Sequence, residues 1–178
     1  SMAIWADGGE VIINGGTYTN VGAGEDDHYD LIYAKNGGTV IINGGTFEAH
    51  TPKWTLNLKD SDGSSITVQG GTFIGVNPAE VYTEPTQPLN FVAEGHKVIE
   101  ENGSYTVIPY DAENVTEEKE LRALVAQGGK VKLGADIDLA TAVEVTSEVE
   151  LDLNGYTLTV TKDTAGDGVF HVLAGGKL

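Results

Sequence analysis

Three aromatic side chains, Trp5, Tyr33 and Trp54, each stand shortly before a repeated Gly-Gly bend. Rings of this type in register on an outer face form a stacking platform for sugars, and acidic neighbours accept hydrogen bonds from glycan hydroxyls. Turned inward, the same rings are only core. Ile4 and Ile32 can supply the inward residues beside Trp5 and Tyr33, which keeps the outward reading open. Three acidic loops raise a calcium question: "GEDDHYD" at 24–30, "KDSDGSS" at 59–65 and "KDTAGDG" at 162–168. Calcium takes about six to eight oxygens. Asp60-Ser61-Asp62-Gly63 starts such a loop without its later ligands, and none of the three matches an EF-hand or a nonapeptide calcium repeat. Solvated turns of an acidic chain are the plainer reading. No cofactor is therefore expected beyond calcium at these loops. His28 stands near Asp26 and Asp30, whereas His50, His96 and His171 are isolated, so no metal ligand is assigned. No catalytic residue is assigned either: glycoside hydrolysis mostly needs paired carboxylates, and the neighbours Asp26-Asp27 and Glu100-Glu101 point apart in extended chain.

The elements that position these residues follow from composition and repeats. The 178 residues suffice for one domain with a core, or two small ones. Gly at 24 residues and Pro at 5 suit many tight turns. A net charge of -17, from 27 acidic and 10 basic side chains, disfavours nucleic acid, whose binding needs clustered Lys and Arg, and an anionic membrane. There is no cysteine, hence no disulfide or thiolate site. No apolar run approaches the ~20 residues of a membrane span, so no membrane insertion is expected. Ser1-Met2 reads as an expression remnant, and the lack of a leader then says nothing about secretion.

The stretch "GGTVIINGGTFEAH" at 37–50 is nearly copied at 8–20 and loosely at 63–75. Aligned on Val11, Val40 and Ile66, such steps fall in the range of solenoids and arrays. Each copy follows a short β-prone segment and a turn, so one period reads as three strands and three bends. Thr67 replaces Ile12 and Ile41, which marks that column as outward; Val11/Val40/Ile66 and Ile13/Ile42/Val68 then face the core. Tyr18, Phe47 and Phe73 would stack inside, and Asn14, Asn43 and Gln69 would form an amide ladder across coils about 4.8 Å apart. Antiparallel hairpins are the alternative, since Asn-Gly is also a hairpin signal, but they do not require the same aromatic at the same offset.

The repeat stops near Val81. "NFVAEGHKVIEENGSYTVIPY" reads as a hairpin turning at Asn102-Gly103. A helix is expected from Asn114 as N-cap, with Glu117 completing a capping box, up to Gly128-Gly129. Short strands follow at Val131–Leu133, Ile137–Leu139, Val143–Val145, Val149–Leu153 and Tyr156–Val160. The last stretch, "GVFHVLAGGKL", repeats the pattern of "AIWADGGEV". The expected organisation is coils over 1–80, linker and hairpin over 81–113, and capping helix with further coils over 114–178 that stack on 1–80 as one domain.

"LRALVAQGGKVKLGADIDL" followed by "VELDLNGYTLTV" resembles the opening of pectate-lyase-like β-helix domains in bacterial surface and phage structural proteins. The "INGGTF" copies followed by "FVAEGHKVIEENGSYTV" resemble the closing coils and terminal hairpin of such domains, so the two halves stand in permuted order. The resemblance implies an all-β, right-handed parallel β-helix (β-solenoid) with one short capping helix and a hairpin. A lyase of that class would carry an Arg or Lys base beside carboxylate-bound calcium. The single arginine, Arg122, falls on the expected capping helix, and a Gly-His-Gly with clustered aspartates is absent. The expectation is a noncatalytic structural or adhesion module of a bacterial cell-surface protein or phage virion, located outside the cell. Its expected partners are neighbouring β-helix modules or a second copy through the end coils, and glycans. The alternative is a polysaccharide lyase or hydrolase of the pectate-lyase-like class.

Overall fold

The computed structural model describes residues 2–21, 30–59, 61–82, 88–161 and 168–178, which fall into two compact units, 1–109 and 110–178. In the first unit the chain winds three times through three strands. The coils are β1 (Ile4–Asp7), β2 (Glu10–Ile13) and β3 (Thr17–Thr19); β4 (Ile32–Lys35), β5 (Thr39–Ile42) and β6 (Thr46–Glu48); and β7 (Leu56–Leu58), β8 (Ser65–Val68) and β9 (Gly71–Ile74). Strands of equal rank pair in parallel as β1-β4-β7, β2-β5-β8 and β3-β6-β9, in the register the repeat alignment expects: Val11, Val40 and Ile66 stand opposite one another. The chain is a β-solenoid.

Alternation sorts the columns as the sequence reading expects. Ile13, Ile42 and Val68 are buried, as are Val40 and Ile66, while Ile12 on the outer face is 53% exposed. Tyr18 stacks on Phe47 at 5.2 Å between ring centroids, and Phe47 on Phe73 at 4.9 Å. Each such contact adds about 0.5–1.5 kcal/mol beyond area burial. Asn43 Nδ2 donates to Asn14 Oδ1 at 2.8 Å, the first rung of the amide ladder. The Gly doublets have two separate causes. The second glycine takes a left-handed conformation, with φ 101° at Gly16, 120° at Gly45 and 101° at Gly71. The first lies against the preceding coil: a Cβ on Gly70 would sit 2.3 Å from the Asn43 carbonyl oxygen.

The hairpin β10 (His96–Glu101) and β11 (Ser104–Pro109) turns at Asn102-Gly103, with φ 52° and 78°. It belongs to the first unit, where β11 pairs antiparallel with β9 and closes the third sheet as β10-β11-β9-β6-β3.

The second unit holds α1 (Glu118–Gln127), then β12 (Gly129–Lys132), β13 (Ile137–Leu139) and β14 (Val143–Val145), followed by β15 (Val149–Asp152), β16 (Leu158–Val160) and β17 (Phe170–Val172). These pair in parallel as β12-β15, β13-β16 and β14-β17. Leu121, Leu124 and Val125 of α1 are buried with Val131, Leu133, Ile137, Leu139, Val143 and Val145 in one core. The helix starts later than the sequence suggests: its N-cap is Glu117, which makes no side-chain cap, rather than Asn114. Val115 is held instead as a parallel bridge to Leu133, its N–H donating to the Lys132 carbonyl at 3.0 Å. Glu120 then does the reaching back, its Oε2 accepting the Thr116 N–H at 3.1 Å.

Alanine substitution at the first glycine of each doublet separates steric contact from chain flexibility. A Cβ on Gly15 meets nothing within 4 Å, so Gly15→Ala is expected to leave the melting temperature unchanged. Gly70→Ala forces coils apart and is expected to cost about 2–3 kcal/mol. Thermal unfolding by circular dichroism checks the contrast, and equal effects at the two positions would refute it.

Candidate functional site

Parallel pairing of β1 with β4 sets Trp5 opposite Tyr33. The inward neighbours Ala6, Ile32 and Ala34 are buried, and period-two alternation turns both rings outward, Trp5 being 52% exposed. Lys35 Nζ lies 4.6 Å from the centroid of the Trp5 ring and 3.7 Å from Asp7 Oδ2, so the indole is flanked by an ion pair. The platform has two rings rather than three. The next register partner of Tyr33 is Asn57, 1% exposed, whose Nδ2 donates to Asp30 Oδ1 at 3.2 Å. Trp54 lies outside this column. Pro52 opens a 3-10 turn, Pro52–Trp54, and the Thr55 Oγ1 hydroxyl closes it by donating to the Pro52 carbonyl at 2.7 Å. The Trp54 ring faces Lys53, whose Nζ stands 5.0 Å from its centroid.

Beside the rings, the turns between the first and second sheets form a polar ladder. Asn36 Nδ2 donates to Asp7 Oδ1 at 2.6 Å, the Asn36 backbone N–H donates to Asp62 Oδ2, and Gly37 N–H donates to Ser64 Oγ at 3.1 Å. Asp62 therefore spends its carboxylate on the left-handed Asn36 of the coil below, φ 54°. Hydrogen bonding from Ser64, then from the Asn36 N–H, holds its pKa below the ordinary value. This is a structural use for the one described aspartate of the 59–65 loop. Residues 24–29, with His28, together with Asp60 and 162–167, lie outside the described residues. Among the described residues no three His, Asp or Glu side chains converge on a metal position.

A groove of about 560 Å³ lies along the bend after the third sheet, lined by Asn20, Val21, Glu48, His50 and Ile74 among others. Asn20 Oδ1 accepts the His50 backbone N–H at 2.8 Å, continuing the side-chain ladders that tie successive coils. The lining offers one carboxylate, Glu48, where hydrolysis of a glycosidic bond mostly calls for two. The single arginine is engaged elsewhere. Arg122 Nε and Nη2 donate to Glu118 Oε1 at 2.8 and 2.6 Å, Nη1 donates to the Ala142 carbonyl at 3.0 Å, and Nη2 donates to the Thr141 carbonyl at 2.7 Å. Glu118 Oε1 also accepts the Ala140 N–H at 3.1 Å. Arg122 and Glu118 thus pin α1 to the bend between β13 and β14. Column position in the sequence suffices to find the Trp5–Tyr33 pair; Glu118 and Arg122 have the i,i+4 spacing of a helix ion pair, but their attachment to the 140–142 bend carries no local signal, because those partners are backbone groups about twenty residues away.

No family model, curated protein or solved structure matches the chain. No helix among the described residues is long and apolar enough to cross a membrane.

The clamp has a pH signature. Hydrogen bonding from Arg122, then from the Ala140 N–H, holds the Glu118 pKa below its ordinary value of 4.5. A depressed carboxylate contributes stability that is full above its unfolded pKa and is lost as pH falls through its folded one. Glu118→Gln is expected to cost about 1 kcal/mol at pH 7. Its deficit against the parent should shrink steadily below about pH 4.5. Urea denaturation from pH 7 to 3 reads this, and a pH-independent deficit would count against the assignment.

Proposed function

We propose that the chain is a noncatalytic structural or adhesion module of an extracellular surface or virion protein, and that it touches neutral glycans through Trp5 and Tyr33. The observation that carries this reading is the outward, in-register pair of rings on a parallel sheet whose inner residues pack on the core. Parallel strands hold the rings at fixed spacing, so little ordering cost remains when a sugar ring lies across them. Asp7 and Lys35 at the same edge supply an acceptor and a donor for ring hydroxyls. Neutral glycans are favoured over polyuronates because a molecule of net charge -17 repels a polyanion. The resemblance to pectate-lyase-like domains of surface and phage proteins supports the location, and the module is proposed to sit among neighbouring β-helix modules. The committed partners of Arg122 and the single carboxylate in the groove lining weigh against the lyase or hydrolase alternative.

Tryptophan fluorescence during titration with neutral oligosaccharides, such as glucan, mannan and galactan fragments, tests the proposal. Binding should be weak and saturable in at least one series, and absent with polygalacturonate. Trp5→Ala, read by isothermal titration calorimetry because it removes the fluorophore at the site, is expected to lower affinity about tenfold, the scale of one lost aromatic contact of ~1.4 kcal/mol, while Trp54→Phe leaves it unchanged. No response to any neutral glycan, or release of new sugar ends from a polysaccharide, would overturn the reading.

A further inference from the structure

The hairpin leaves a free strand edge within the first unit. β10 pairs with β11 in unbroken register from His96 opposite Pro109 to Glu101 opposite Ser104, with no bulge and no proline of its own. Among the described residues no strand pairs with its other edge, where the sheet order β10-β11-β9-β6-β3 stops. The turn at Asn102-Gly103 fixes which backbone groups that edge presents. In a hairpin of this type the residues flanking the turn, Glu101 and Ser104, exchange both N–H···O=C bonds, and the exchange recurs at alternate pairs. Lys97, Ile99 and Glu101 therefore spend their backbone groups on β11, while Val98 and Glu100 turn theirs to the free edge. Two features agree with this phase: Pro109, which has no N–H, falls at a non-bonded pair, and the His96 N–H turns away from β11 to the Ala93 carbonyl at 3.2 Å. Side chains alternate with the same period. Val98 lies opposite the buried Val107 and packs on the core, whereas Lys97, Ile99 and Glu101 face outward, Ile99 at 47% exposure.

We infer that this edge is an interface between two copies of the chain, joined by antiparallel pairing of β10 with β10 about a two-fold axis. The strand selects a second copy as its occupant because its outward residues are complementary to themselves read backwards. With Ile99 on the axis, opposite the second copy's Ile99, Lys97 falls opposite the second copy's Glu101, and Glu101 opposite its Lys97. An apolar pair is thus flanked on both sides by opposite charges, the cross-strand neighbours that stabilise a sheet. In the same register Val98 falls opposite Glu100, so the residues whose backbone groups face this edge meet each other and close both bonds of each pair. Other registers fail. A shift of one residue sets free backbone groups against spent ones; an axis at Glu100 brings two carboxylates face to face, and an axis at Val98 sets Ile99 against Lys97. An isologous contact needs a patch that reads the same in either direction, and an unrelated extended peptide would find the backbone groups but make no use of that charge order. One strand pair buries little area, so the dimer is weak and reversible.

The inference does not rest on glycan binding, since Trp5 and Tyr33 stand on another sheet, and the two can fail separately. Sedimentation velocity over a concentration series reaching the millimolar range, at physiological ionic strength, should show a monomer–dimer equilibrium. Lys97→Glu and Glu101→Lys should each weaken it about tenfold, because either change sets like charges opposite one another on both sides of the axis. An equimolar mixture of the two variants should return association to the parent's level, since each supplies the charge the other has lost. The chain has no cysteine, and non-bonded antiparallel partners stand about 4.5 Å apart at Cα, within disulfide reach. Ile99→Cys should therefore give a linked dimer under mild oxidation, while Lys53→Cys, on an exposed turn, stays at background. Circular dichroism checks that each variant keeps the fold. A parent that is monomeric at every concentration, an Ile99→Cys variant no more linked than Lys53→Cys, a dimer indifferent to both charge reversals, or a mixture no better than its components would each refute the inference.

Discussion

Parallel coils about 4.8 Å apart leave no room for a side chain wherever one backbone bends across another, and this clearance governs the rest of the solenoid. Gly70 over the Asn43 carbonyl, Gly38 over that of Ala6 and Gly176 over that of Val145 are the points where the chain meets the limit. Only when these contacts close does each coil fall into the register that puts Val40 on Ile66, Phe47 on Phe73 and Asn43 on Asn14. A slip by one residue would turn every inward side chain outward. The ladders therefore hold a register that the glycines permit.

The same constraint explains what could be read in advance. A column reappears at equal offsets only if coils stack, so the alignment of Val11, Val40 and Ile66 carries the inner face of the second sheet and the aromatic stack together, while the Trp5–Tyr33 pair, one residue closer in the chain, needs the preceding segments aligned by themselves. A local signal by itself decides less. Asn-Gly doublets at 36–37, 102–103 and 154–155 all take positive φ, yet only the second makes a hairpin; the others bend the chain between parallel coils. The turn chemistry is identical, and the choice is made by which strand the next residues find. Asn114 looks like an N-cap for the same reason, but Val115 gains more by completing the Leu133 edge than by entering a helix turn. Trp54 fails as a platform residue because Pro52 fixes its backbone in a turn. The register of β11 on β9 and the attachment of Arg122 to the 141–142 carbonyls have no local pattern of their own, since both join surfaces that only the fold assembles.

Charge placement completes the argument. Apart from the buried Asp30 and Glu120, the described acidic residues occupy outward positions or turns, as with Asp7 and Asp62 in the turn ladder and Glu150 and Asp152 on β15, where Lys130 and Lys132 face them from β12. Such surface pairs contribute little each; their larger effect is collective. A net charge of -17 repels a second copy across the Debye length of about 8 Å at physiological ionic strength, while strand pairing acts only at contact. An open coil edge is otherwise an unrestricted template for any passing strand. Here the repulsion holds such encounters apart.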